Sequence, residues 1–164
     1  MHYELCIISY LCSRKNYKQM KKIALFAMAA LLTACSIIEK DDNQATTVAE
    51  EWAEAYFNCD FHGAEALSTP ESRRWLQFAA SNTTQQDLDL LKQHAAEVEA
   101  TDYFPDANDT LRVVELQVSH YLSPTLQEAK QEEEGLFHIT VVKRKGEWKV
   151  RMEGLPRSEK QSRD

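Results

Sequence analysis

The feature that most constrains this chain is a change of hydrophobic period near residue 100. Upstream, apolar residues recur at helical spacing, with Val48, Trp52, Ala55, Tyr56 and Cys59 at i, i+4, i+7, i+8 and i+11. Downstream they alternate, as in Trp148, Val150 and Met152 against Lys149 and Arg151. A run of helices followed by a run of strands predicts an α+β domain. Two to three N-terminal helices would pack on one face of a curved antiparallel sheet of about four strands.

The helical half carries its own start and stop signals. Thr47 and Glu50 have the spacing of a capping box, which predicts a first helix over 47–59. Asp60-Phe61-His62-Gly63 breaks it, and Ala64–Leu67 reads as one further turn. Thr69-Pro70-Glu71 gives a cap, a proline at the first helical position and an early acid. Trp75, Leu76, Phe78 and Ala79 then form the buried side of a short helix ending near Ser81-Asn82. Thr84 and Asp87 cap a third helix with Leu88, Leu91, Ala95 and Val98 in its stripe, although Glu97–Phe104 reads equally as the start of a strand.

In the alternating half, Thr101–Phe104 and Thr110–Leu122 are predicted strands around the turn Pro105-Asp106-Ala107-Asn108-Asp109. In the longer one Val114, Leu116, Val118, His120 and Leu122 share the inward face. Pro124–Gly135 is predicted to be a charged connection, with Glu132–Glu134 in solvated loop. Phe137, Ile139 and Val141 point inward from Leu136–Lys143, and Lys145-Gly146 turns the chain into a last strand at Glu147–Glu153. The tail Leu155–Asp164 is polar and predicted to fray.

The N-terminal region reads as an address rather than as part of the fold. Lys21 and Lys22 precede the uncharged run Ile23–Leu32, which is followed by Thr33, Ala34 and Cys35. The run is about half the ~20 residues needed to span a bilayer. Leu32-Thr33-Ala34-Cys35 resembles the lipobox of bacterial lipoproteins. That resemblance implies cleavage before Cys35, a diacylglycerol thioether on its sulfur and an acylated amino terminus. Several acyl chains on one residue anchor a protein firmly where one chain does not. The expected partner of Cys35 is therefore a membrane, and the expected location is the bacterial cell envelope, at the outer membrane. Residues 1–19 precede a complete signal with its own Met20, so they are a mis-assigned start or an extended basic region. The expected divisions are 1–19, the signal 20–34, a lipidated tether 35–45, the α+β domain 46–155 and a tail 156–164. Lys40-Asp41-Asp42 in the tether resembles the acidic sorting signal of surface-exported lipoproteins, or is simply a solvated linker.

Charge and cysteine count then narrow the function classes. Removing the first 34 residues, with Cys35 as the new start, leaves 14 basic against 25 acidic residues, a net charge of about −11. Such a body lacks the basic footprint of nucleic-acid binding and the polybasic character that docks on anionic headgroups. Cys59 is left as the one cysteine besides the lipid site, so the processed domain has no internal disulfide and no cysteine-based metal site.

The opening segment VAEEWAEAYFNCDFHGAEAL, with its Asp60-to-Ala64 turn, and the closing hairpin VVKRKGEWKV, with Gly146, Trp148 and Val150, resemble the nuclear-transport-factor-2-like family. The resemblance spans roughly Thr46–Leu155 and implies a cone enclosing a pocket, used by different members for catalysis, ligand binding or neither. It fixes no activity by itself. Isomerases and dehydratases of this fold set acidic, tyrosyl or histidyl groups deep in the cone, and this sequence offers no such set residue by residue. The pocket candidates are His120, which interrupts an apolar inward face, with Asp102 and Tyr103 beside it. A half-buried, hydrogen-bonded histidine is the plainer reading of His120. Cys59 reads as a structural thiol, and Trp52, Trp75 and Trp148 as core. His62 and His94 show no metal-ligand spacing, and no phosphate loop or serine-nucleophile motif is present. The expected function is non-catalytic binding of an envelope protein or small-molecule ligand, with no cofactor and no metal. The competing expectations are a pocket enzyme and a structural subunit of an envelope assembly.

Overall fold

The protein is described by a computed structural model, which covers residues 43–105, 109–122 and 130–160. The lipobox and Cys35 lie outside the described residues, as does the segment 123–129.

The first helix, α1, is already helical at residue 43 and runs to residue 57. Thr47 is therefore inside it rather than at its cap, and its hydroxyl donates back to the carbonyl of Asn43 at 2.9 Å. Glu50 also departs from the capping role, because its carboxylate accepts the N–H of Ala100 from the sheet at 3.0 Å. The buried stripe is Ala45, Ala49, Trp52, Ala53 and Phe57, with Val48, Ala55 and Tyr56 only partly buried. Alanines at i, i+4 and i+8 leave little side chain between helix axis and sheet, so the small residues take the central line.

Helix α1 ends in a Schellman motif. The N–H of Asp60 bonds the carbonyl of Ala55 at 2.8 Å and that of Cys59 bonds Tyr56 at 3.1 Å. Cys59 occupies the left-handed position, φ 63°, that glycine usually fills. It belongs to the turn, and not to the helix face expected from the spacing.

Asp60 caps α2 (Phe61–Ala66), its carboxylate accepting the Gly63 N–H at 2.9 Å. A 3₁₀ turn at Pro70–Ser72 leads into α3 (Arg73–Asn82), which buries Leu76 and leaves Phe78 52% exposed. The predicted capping box of α4 (Gln85–Gln93) is present, with Thr84 and Asp87 bonding reciprocally. This helix stops before Ala95, which is exposed. The ambiguous stretch after it is strand β1 (Glu97–Pro105).

The sheet is an antiparallel meander in the order β1, β2 (Leu111–Leu122), β3 (Gln131–Arg144), β4 (Glu147–Val150). Strand β3 starts earlier than the sequence suggested. Gln131, Glu132 and Glu134 pair with Leu122, Tyr121 and Ser119, so they are sheet rather than connection. Gly135 makes this possible, since a Cβ there would lie 2.9 Å from the Tyr121 ring. Lys145 and Gly146, with φ of 55° and 88°, form the two-residue turn whose twist matches an antiparallel hairpin.

The helices cover one face of this sheet, and a buried apolar cluster lies between the two layers. Trp52, Phe57, Leu76, Val114, Leu116, Val118, Phe137, Val141, Trp148 and Val150 form the core. Two serines beside it are hydrogen-bonded. The Trp52 indole donates to Ser68 Oγ at 2.8 Å, and Ser68 donates to the Ala64 carbonyl at 2.7 Å. Ser72 Oγ accepts the Met152 N–H at 2.9 Å, which locks the 3₁₀ turn against the end of β4. Both outer edges are attended to. The Ser68 segment bridges Val150 on one side, while on the other Asn58 exchanges two hydrogen bonds with Ala96 at 2.8 and 3.0 Å.

The tail does not fray where it is described. Ser158 is fully buried and bridges Phe137, and the Glu159 N–H donates to the Leu136 carbonyl at 3.0 Å.

Candidate functional site

Strand β4 pairs with β3 only as far as Val150. One more rung follows, Arg151 N–H to the Thr140 carbonyl at 2.8 Å, and then the chain swings off the sheet. Glu153-Gly154-Leu155-Pro156 carries it outward until Ser158 rejoins β3 opposite Phe137. A proline and a glycine in four residues suit a segment that cannot continue a ladder. This strap and the edge of β3 enclose a cavity of about 240 Å³, lined among others by Trp52, His138, Thr140, Arg151, Met152 and Arg157.

The cavity is polar at its rim. Arg151 reaches Glu153 at 3.0 Å through one guanidinium nitrogen, while its Nε is buried with no hydrogen-bond partner among the described residues. An unmade bond on a buried donor costs free energy, so this N–H favours an acceptor entering the cavity. The volume is smaller than the usual 300–1,000 Å³ of a drug-sized site, so it suits a small ligand or a single inserted side chain.

Among the described residues, one set of three has the composition to hold a metal ion. Ligand atoms of Glu115, His138 and Glu159 all lie within 4.8 Å of one another. Glu115 and His138 are directly paired across β2 and β3, with Oε2 and Nε2 3.4 Å apart. A bulge in β1 between Ala100 and Asp102 sets Thr101 against Glu115, its hydroxyl donating to Oε1 at 2.7 Å.

The three pocket candidates from the sequence are not brought together in the core. His120 has φ 55°, which breaks the alternation, so its side chain is exposed and Tyr121 takes the inward place. Its ring lies 5.8 Å from that of His94. Asp102 and Tyr103 are exposed as well, Asp102 because it follows the bulge and stands in the register row of Glu115 and His138. The alternation with Phe137 and Ile139 places His138 on the outer side, but nothing in the linear sequence joins it to Glu159, 21 positions away. Arg112, buried on the inward face of β2 with its guanidinium over the Trp148 ring at 5.5 Å, was likewise silent in the sequence.

Cys59 is half-buried and its thiol pKa is raised, first by burial, with Asp87 adding to the shift and a hydrogen bond to Thr83 opposing it. Burial likewise pushes the Tyr56 hydroxyl well above its ordinary range, and Cys59 nearby adds to that shift. Both groups are therefore held in their neutral forms, which is the behaviour of packing residues and not of nucleophiles.

No protein-family model matches the chain, and no curated protein matches it. Among solved structures it is similar to an Ntf2 like protein involved in plasmid conjugation, with TM-score 0.40 and 14% identity over 72% of this chain and 48% of that one. The chain thus spans about half the length of that protein. A function-unknown protein from Mycobacterium tuberculosis is similar at TM-score 0.40 and 12% identity, over 80% of this chain and 75% of that one. The α+β architecture itself rests on the helices and the four-stranded sheet described above.

Proposed function

We propose that this chain is a lipid-anchored bacterial envelope protein whose α+β domain binds a partner protein or small ligand without catalysing a reaction. The observation that supports the binding reading is the apolar make-up of the interior. Trp52, Phe57, Leu116 and Phe137 occupy the space where a chamber between helices and sheet would lie. The titratable pocket candidates His120, Asp102 and Tyr103 point to solvent instead. Recognition is then left to the surface and to the strap cavity, with Arg151 and Arg157 as polar contacts for an acidic group. The anchoring part rests on the sequence alone, on the basic flank, apolar run and Leu-Thr-Ala-Cys ending at Cys35.

The anchor is tested by labelling cells with radioactive palmitate. The wild-type chain takes up label and partitions into detergent, while Cys35→Ala is unlabelled and stays in the aqueous phase. Label or membrane association persisting in Cys35→Ala would overturn the anchor. The binding reading is tested by crosslinking in intact envelopes from photoreactive groups at Arg157 and at exposed Gln77. A discrete adduct from Arg157 alone supports the strap, and equal yields from both positions would remove it.

A further inference from the structure

We infer that Glu115, His138 and Glu159 form a binding site for one divalent cation of borderline softness, of which zinc is the representative. Its donor set, geometry and supporting contacts all fit such an ion. The donor set is one imidazole nitrogen and two carboxylates, a combination that suits zinc-like ions. Calcium takes six to eight oxygens and gains nothing from the imidazole. Two carboxylates also balance the two positive charges.

The geometry agrees. With metal–ligand bonds of about 2.0–2.1 Å, neighbouring donors in a tetrahedral shell are about 3.4 Å apart. Glu115 Oε2 and His138 Nε2 already stand at 3.4 Å. The widest separation among the three residues' donors is within 4.8 Å, so rotation of the Glu159 side chain closes the shell. Water completes the coordination, since the site lies at the surface, with His138 exposed and the two glutamates partly buried.

The supporting contacts are in place too. Thr101, the extra residue of the β1 bulge, donates to Glu115 Oε1 at 2.7 Å and so orients Oε2 toward the histidine. Glu159 is delivered by its own backbone, whose N–H is fixed to Leu136 at 3.0 Å. The bulge and the returning tail are both departures from regular sheet, and both put a carboxylate beside His138. A cation held there would join β2, β3 and the tail and close one end of the strap. The site is independent of the lipid anchor and of any ligand in the strap cavity, so its failure would leave both readings standing.

The experiment is calorimetric titration of the purified full chain with zinc chloride, with thermal melts in parallel. The expected result is one high-affinity site whose affinity falls roughly tenfold or more in His138→Ala and in Glu159→Gln. Zinc raises the melting temperature of the wild type, and the rise shrinks in both variants. His120→Ala and Cys59→Ala should bind as the wild type does, which separates this site from the other histidines and from thiol ligation. Should His138→Ala fail to fold, Glu115→Gln serves in its place, because its amide oxygen keeps the Thr101 hydrogen bond. Affinity within about twofold of wild type in His138→Ala, or in that substitute, would overturn the site. So would a wild type that binds no zinc.

Discussion

At the scale of single residues, the instructive positions are those where backbone conformation overrode side-chain pattern. His120 and Cys59 both adopt left-handed φ, a state that period-counting cannot register because it depends on one dihedral and not on spacing. The alternation of β2 therefore predicted His120 inward, and the helical stripe of α1 predicted Cys59 as a member. Glu71 shows how a partner far away in the chain sets a residue's chemistry. The hydrogen bond from Arg144 at 2.7 Å, helped by the Glu71 backbone and by Thr69, lowers its carboxyl pKa to about 2 from an ordinary 4.5. A carboxyl with a depressed folded-state pKa stabilises fully above its unfolded value and loses that contribution as pH falls. The melting temperatures of wild type and Arg144→Gln should therefore differ slightly at pH 6 and converge as pH is lowered from about 4.5 towards 2. The pair is solvent-exposed, so the gap will be small. A gap that stays constant through that window would show that the pair does not act.

At the scale of elements, the sequence was most legible where local chemistry decides. The Thr84–Asp87 capping box, the Asp60 cap and the Lys145-Gly146 turn all follow from hydrogen bonds or dihedrals within four residues. It was least legible where an element depends on a distant neighbour. Gln131–Gly135 has the composition of a loop, yet it is strand because β2 supplies partners and Gly135 admits the Tyr121 ring. The start of α1 was misread for a similar reason, since Glu50 serves the edge of β1 and not its own helix. The hairpin turn yields a pair of opposed predictions. Gly146→Ala forces a side chain into left-handed backbone and should destabilise by about 1 kcal/mol. Lys145→Asn, which tolerates that backbone better, should raise stability by a few tenths of a kcal/mol. Chemical denaturation of the two variants checks both signs.

At the scale of the whole molecule, the α+β class was legible because the change of period is global and needs no exact register. The binding features were not, because the strap cavity and the Glu115–His138–Glu159 set are made by a tail that leaves the sheet and returns. Trp148 is the residue on which the closing hairpin depends. It is 4% exposed in the core, with Arg112 and Lys143 over its ring. Trp148→Ala should cost about 3–5 kcal/mol. An unchanged melting temperature would show that the last strand contributes little to the core.

The bonds that lock the 3₁₀ turn and α2 to the end of β4 join positions 78 to 83 residues apart, between Ser72 and Val150, Ser72 and Met152, and Lys149 and Ala66. Such contacts carry a large loop-closure cost and form late. A chain still emerging from the ribosome cannot make them until β4 and Met152 have been synthesised, well after the helices they join. Formation of these contacts is thereby postponed until that part of the chain has emerged. If the N-terminal signal that we propose sends the chain across a membrane unfolded, that delay leaves a time window in which export can begin before tertiary structure forms.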